Sequence, residues 1–208
     1  MRISELSAAC GVPVPTIKYY LRERLLPPGR ATAATQAQYG DEHVARLRLI
    51  RALVDVGRLS LTAVRDVLAV VDLGDAATPA AVGAAHDALP PQVPDADTEP
   101  RRALAAVDLL GWHVDPGSSS LRQLEVALEA VEAVGMPADE ARLRTYGQAA
   151  LEVAAADVAE VPRAGAGDAV QYVVVGTVLY EPVLLALRRL AQQHVFSRAG
   201  THAEGPRP

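Results

Sequence analysis

The chain has 208 residues, half of them apolar, with 15 prolines, 15 glycines and a net charge of −5 at pH 7. That composition describes a soluble globular protein with apolar side chain enough for one large or two small domains. The one cysteine, Cys10, excludes a disulfide framework and a cysteine metal site within a single chain, and on an apolar helix face it reads as a small core residue.

Charge is divided unevenly. Residues 1–70 hold ten Lys and Arg against six Asp and Glu, whereas residues 71–208 hold ten against nineteen, so a net of +4 is followed by a net of −9. Attraction to nucleic-acid phosphates depends on the local field, which decays within about 8 Å at physiological salt. The basic third is therefore the part suited to DNA, and the acidic remainder is expected to face away from it. No basic region followed by an apolar stretch comes after Met1, so no signal peptide is expected and the cytoplasm is the expected location.

Residues 3 to 21 read as two short helices joined by a tight turn. Ile3, Leu6 and Cys10 recur at helical spacing, Gly11 can take the positive φ that ends a helix, and Pro15 with Thr16 opens a second helix that turns Ile17 and Leu21 inward. This is helix-turn-helix geometry. Lys18, Tyr19 and Tyr20 lie between those apolar residues and Arg22 just beyond, so the second helix carries cationic and aromatic groups of a length that suits a major groove.

The blocks that follow are Thr16-Ile-Lys-Tyr-Tyr-Leu-Arg-Glu-Arg-Leu-Leu-Pro-Pro28, Arg30, Tyr39-Gly-Asp-Glu-His43 and Leu47-Arg-Leu-Ile-Arg51. In this order and spacing, from Met1 to about Val71, they resemble the DNA-binding domain of the MerR family of transcription regulators. The resemblance implies a β-hairpin wing after the recognition helix, then a second helix pair. It implies DNA contacts at Thr16, Lys18, Tyr19, Tyr20, Arg22, Arg30, Tyr39 and Arg58. Arg24 stands where a Gly is usual, Leu21 where an acidic residue is usual, and Ala37 where a wing Arg usually meets phosphate. The implied partners are double-stranded DNA with a pseudo-palindromic operator, a second copy of the chain in a homodimer, and bacterial RNA polymerase at the promoter.

Asp41 can cap a helix to about Val56, with Val44, Leu47, Leu49, Ile50, Leu53 and Val54 on a broad apolar face and Gly57 at its stop. Arg46, Arg48 and Arg51 read as solvated. Ser60 or Thr62 caps the next helix. Residues 74–100 contain two glycines and five prolines, so no helix there exceeds about three turns. A short helix fits 79–88, and 90–100 is a semi-rigid linker. Dimerisation must then use something other than a coiled coil placed there, and the C-terminal helices are expected to share in it.

From Pro100 onward the pattern is helical: Arg101–His113, a helix capped by Ser119 or Ser120, an Ala-rich helix over 138–159 with a Leu143, Ala150, Ala154 and Val158 stripe, and a last helix over 168–195. The last is apolar on nearly every side from Val170 to Leu187 and reads as an enclosed central helix, with Glu181 and Pro182 interrupting it too early for a membrane span. The expected organisation is thus mainly α: a winged helix-turn-helix domain at 1–73, a short helix and linker at 74–100, an all-helical domain at 101–197 for effector binding or assembly, and a disordered tail at 198–208.

Five scattered histidines and the shared face of Glu125, Glu129 and Glu132 offer no catalytic or metal constellation, so no enzyme activity, cofactor or metal is expected. Trp112, Tyr146, Tyr172 and Tyr180, with Glu181, are the candidate walls of an effector pocket for a hydrophobic or cationic small molecule. Drug sequestration or protein interaction by the helical domain, targeted to DNA by the helix-turn-helix, is the competing expectation.

Overall fold

The computed structural model of the protein describes residues 1–33, 36–74, 99–161 and 166–203. The chain divides into two compact units, Met1–Leu68 with Val175–Pro208 and Ala69–Val174. Among the described residues there are eight α-helices and one two-stranded hairpin, which is the mainly α fold with a small wing expected from the sequence.

In the first unit, α1 (Ile3–Cys10) ends at Gly11, whose φ of 68° is the left-handed cap that a residue without Cβ takes freely. Helix α2 (Val14–Arg22) carries Pro15 in its first turn, where an amide would have no helical partner anyway. Leu6, Val12, Ile17 and Tyr20 close the space between them. The chain then turns back into this core through Leu25 and Leu26, whose amides both donate to the Tyr20 carbonyl, at 2.9 and 3.3 Å. Strands β1 (Arg30–Ala33) and β2 (Gln36–Gln38) pair antiparallel, Arg30 opposite Gln38, with an irregularity between Ala31 and Ala33.

Helix α3 (Asp41–Asp55) buries His43, Val44, Leu47, Ile50 and Leu53, one face at helical spacing. His43 is not solvated: its Nδ1 accepts the Gly40 amide at 3.1 Å, holding the helix start, and its ring meets the Tyr39 ring edge-on at 5.1 Å. Arg46 is not simply solvated either, because its Nε donates to the Leu25 carbonyl at 3.0 Å and fixes the loop that leads to the wing. Helix α4 (Leu61–Leu73) starts where Ser60 Oγ accepts the Ala63 amide. Gly57 stands at the end of α3 as expected, yet the left-handed position is its neighbour Arg58. Gly57 serves instead for close approach, since a Cβ there would overlap Val178 Cγ1 and lie 2.8 Å from the Leu53 carbonyl oxygen.

Val178 belongs to the last helix, Ala166–Ala203, which is α8 in chain order. It runs past Arg198, where the disordered tail was expected to begin. It is also not enclosed. Val174 and Val178 are buried, but Tyr180, Val183, Leu184, Leu187 and Leu190 each remain about half exposed. A helix apolar on nearly every side can be covered in one chain only where another element faces it, and beyond Val178 most sides are left open. Pro182, lacking an amide, leaves the Val178 carbonyl without its ladder partner.

In the second unit, α5 (Arg101–Leu110) packs against both α6 (Ser119–Ala133) and α7 (Glu140–Ala159). Ala103, Val107 and Leu121 form its core, with Leu104, Trp112 and Leu124 against them. The α6 cap is Ser118, one residue before the expected serines, and Asp139 caps α7 through the Arg142 amide at 2.9 Å. Close approach to α5 is made by Gly147, where a Cβ would lie 2.7 Å from Leu110 Cδ1; of the α7 stripe, Ala150, Ala154 and Val158 are exposed. The short helix expected at 79–88 and most of the linker at 90–100 lie outside the described residues. No helix among the described residues is long and apolar enough to cross a membrane.

Candidate nucleic-acid interface

Lys18 and Arg22 are four residues apart on α2 and share its exposed face, opposite the buried Ile17 and Tyr20. The Arg22 guanidinium lies over the Tyr19 ring, 5.1 Å from its centroid, which restrains a long side chain that would otherwise wander. Thr16 and Tyr19 are half-buried. Arg30 opens the wing at its base and is exposed, as is Arg58 in the turn between α3 and α4. Four of the expected contacts, Lys18, Arg22, Arg30 and Arg58, are thus solvent-facing cations on one unit.

Two of the three expected tyrosine contacts are different. Tyr20 is only 4% exposed and Tyr39 8%, so both rings are core. Tyr20 packs 6.0 Å from Tyr19 and its carbonyl organises the following turn, while the Tyr39 amide and carbonyl pair with Met1 at 2.9 and 2.8 Å and pin the start of the chain to the end of the wing.

The expected effector residues are not drawn into one site. Trp112, Tyr146 and Tyr172 belong to the second unit, whereas Tyr180 and Glu181 belong to the first. Tyr146 is exposed, with the Arg142 guanidinium 6.0 Å from its centroid. Glu181 makes no ion pair among the described residues, and partial burial pushes its carboxyl above the usual range. Within the second unit, a cavity of about 520 Å³ is lined by Trp112, His113, Val114, Ala150, Leu151 and their neighbours, and a smaller one of about 300 Å³ adds Arg144 and Gln148 beside the same Trp112 and Leu151. Of the five expected residues, Trp112 alone lines either.

Glu125 is more than part of a solvated face. It accepts the Ala103 amide at 2.9 Å and Arg102 Nη1 at 2.9 Å, while Glu132 takes Arg102 Nε at 2.8 Å, so α6 grips the first turn of α5. Burial pushes the Glu125 carboxyl up, but the Ala103 amide and Arg102 outweigh it and the net shift is downward. Sequence spacing alone could not reveal this, because the partner lies 22 residues away. Among the described residues, no group of His, Cys, Asp and Glu could hold a metal ion.

A helix-turn-helix whose second helix carries exposed cations, followed by a two-stranded wing and a second helix pair, defines a winged helix-turn-helix protein. Residues 1–70 match the family described as MerR HTH family regulatory protein and form a MerR-family helix-turn-helix domain. It is 42% identical over 50 residues to the HTH-type transcriptional regulator ZntR homolog of Haemophilus influenzae, covering 24% of this chain and 37% of that protein. It is 36% identical over 75 residues to the mercuric resistance operon regulatory protein of Bacillus cereus, covering 36% and 56% respectively. The chain thus spans between about a third and just over a half of the length of these curated relatives. A broader likeness is to the crystal structure of SCO5550 from Streptomyces coelicolor A3(2), provisionally described as a transcriptional regulator: TM-score 0.70, 39% identity, covering 95% of this chain and 97% of that one.

Proposed function

We propose that the protein is a sequence-specific DNA-binding transcription regulator that acts in the cytoplasm as a homodimer on a pseudo-palindromic operator. The observation that carries this is the exposed Lys18 and Arg22 pair on α2 of a MerR-family domain, flanked by Arg30 and Arg58 and set in the basic third of the chain. One helix-turn-helix reads too few base pairs for a regulator, so a two-fold partner is needed. The exposed apolar residues of α8 from Tyr180 to Leu190 supply a surface that a second copy would cover. Bending or untwisting the promoter costs several kcal/mol, recovered through added contacts, and would bring the polymerase elements into line.

Effector sensing is assigned to the helices of the second unit, with the apolar groove beside Trp112 as the candidate site. With one cysteine in the chain, an organic ligand suits it better than a thiophilic metal. An effector can regulate only by binding the two protein conformations with different affinity, so effector and DNA binding must be linked. The competing assignment is a sequestering module with no effect on DNA. Footprinting on the protein's own upstream promoter tests the function: a symmetric protected region is expected, and no protection at a concentration that saturates the fold would refute it. The relatives are regulators rather than enzymes, and no catalytic role is proposed.

A further inference from the structure

Two non-glycine residues among those described have a positive φ, and both are arginines of the first unit: Arg24 at 58° and Arg58 at 56°. Outside glycine and asparagine this region is disfavoured, because Cβ crowds the neighbouring carbonyl oxygen. Such a residue persists where the surroundings fix the backbone or where the side chain is needed. The surroundings do fix Arg24. Its amide donates to the Leu21 carbonyl at 3.2 Å, and on its far side Leu25 and Leu26 are buried and tied to Tyr20.

Nothing within the described chain uses the side chain. It is exposed, and it makes no hydrogen bond or ion pair among the described residues. The adjacent carboxylate does not neutralise it, since Glu23 is shared between Arg65 at 3.4 Å and Arg22 at 3.6 Å. A rigid turn therefore holds a free guanidinium two residues beyond Arg22, between the exposed face of α2 and the base of the wing. Adjacent Cα atoms are about 3.8 Å apart, so the Cα atoms of Arg22 and Arg24 lie within about 7.6 Å of each other.

We propose that Arg24 is an additional phosphate contact to duplex DNA, retained in a left-handed turn at the expense of fold stability. This rests on the DNA-binding reading above, which fails separately if the native protein binds no duplex. The test is a salt titration, from about 50 to 200 mM, of binding to a labelled random-sequence duplex, set beside thermal unfolding. Arg24→Gly should raise Tm by roughly 2 to 4 °C, weaken binding about three- to tenfold and lower the salt slope by about one per protomer bound. Arg24→Lys, which keeps the charge, should retain most of the affinity and slope. Unchanged or tighter binding by Arg24→Gly overturns the proposal, and so does a lower Tm, which would make the side chain a support of the fold.

Discussion

Gly57→Ala should destabilise the first unit, and the structure says by which contacts. The new methyl would overlap Val178 Cγ1 and lie 2.8 Å from the Leu53 carbonyl oxygen. Neither neighbour moves easily: Val178 is 4% exposed, and the Leu53 carbonyl already accepts the Leu59 amide at 3.1 Å. Overpacking of this kind costs about 1 to 3 kcal/mol, offset by roughly 0.4 to 1 kcal/mol from the stiffer unfolded chain. The net, centred near about 1 kcal/mol and reaching roughly 2.5, corresponds to a fall in Tm of roughly 2 to 10 °C for a chain of this size. Val178→Ala removes the overlapping methyl but leaves the carbonyl, so the double variant should be more stable than the sum of the single changes, by at least about 0.5 kcal/mol. Urea unfolding of the four proteins followed by circular dichroism measures the cycle. Strict additivity, or a neutral Gly57→Ala, would refute the seating of α8 against α3 at this residue.

Lys18→Ala should weaken operator binding by about 1 to 3 kcal/mol, the usual value of one good base contact, with the circular dichroism spectrum unchanged; undiminished affinity in anisotropy titrations would remove α2 from the recognition role. Leu187 is 58% exposed, so covering it in the proposed dimer is worth about 1 to 1.5 kcal/mol per protomer. Leu187→Glu should therefore raise the dimer Kd by at least about thirtyfold in sedimentation equilibrium, and an unaltered dimer would move the interface elsewhere. Glu125→Gln should cost the second unit about 1 to 3 kcal/mol, because a carboxylate bridging the Ala103 amide and Arg102 becomes a neutral amide. Since the folded carboxyl titrates below its unfolded value, its stabilisation is complete above the usual carboxylate range and is lost as pH falls through the folded pKa. Urea midpoints measured on the acid side should fall more steeply for the native protein than for Glu125→Gln, and parallel curves would count against that bridge.

Local signals were legible wherever one residue's chemistry decides the outcome. The Gly11 cap, the Ser60 cap and the apolar face of α3 could be read directly, because a left-handed φ, an amide acceptor and a 3.6-residue period need no distant partner. Tyr20 could not be read in that way. Its position beside Lys18 matches a contacting aromatic, but only the returning Leu25 and Leu26 turn shows that the ring is enclosed. Gly57 was placed correctly and explained by the wrong cause, since the side chain that needs the space comes from 121 residues later. The apolar run of α8 signalled burial without saying by what, and in one chain much of it stays open. The candidate pocket aromatics divide between two units, because a shared helix face for Tyr172 and Tyr180 carries no information on where Trp112 and Tyr146 pack.

The missing ladder bond at Pro182 has a mechanical reading. The carbonyl it frees belongs to Val178, the residue that fills the space over Gly57, so the break in the α8 ladder coincides with its contact to the turn that follows α3. From that fulcrum to Ala203 the helix runs 25 residues, a lever arm of about 38 Å at 1.5 Å per residue. A tilt of about 10° at the seat sweeps the far end by roughly 7 Å, close to two base-pair steps along duplex DNA.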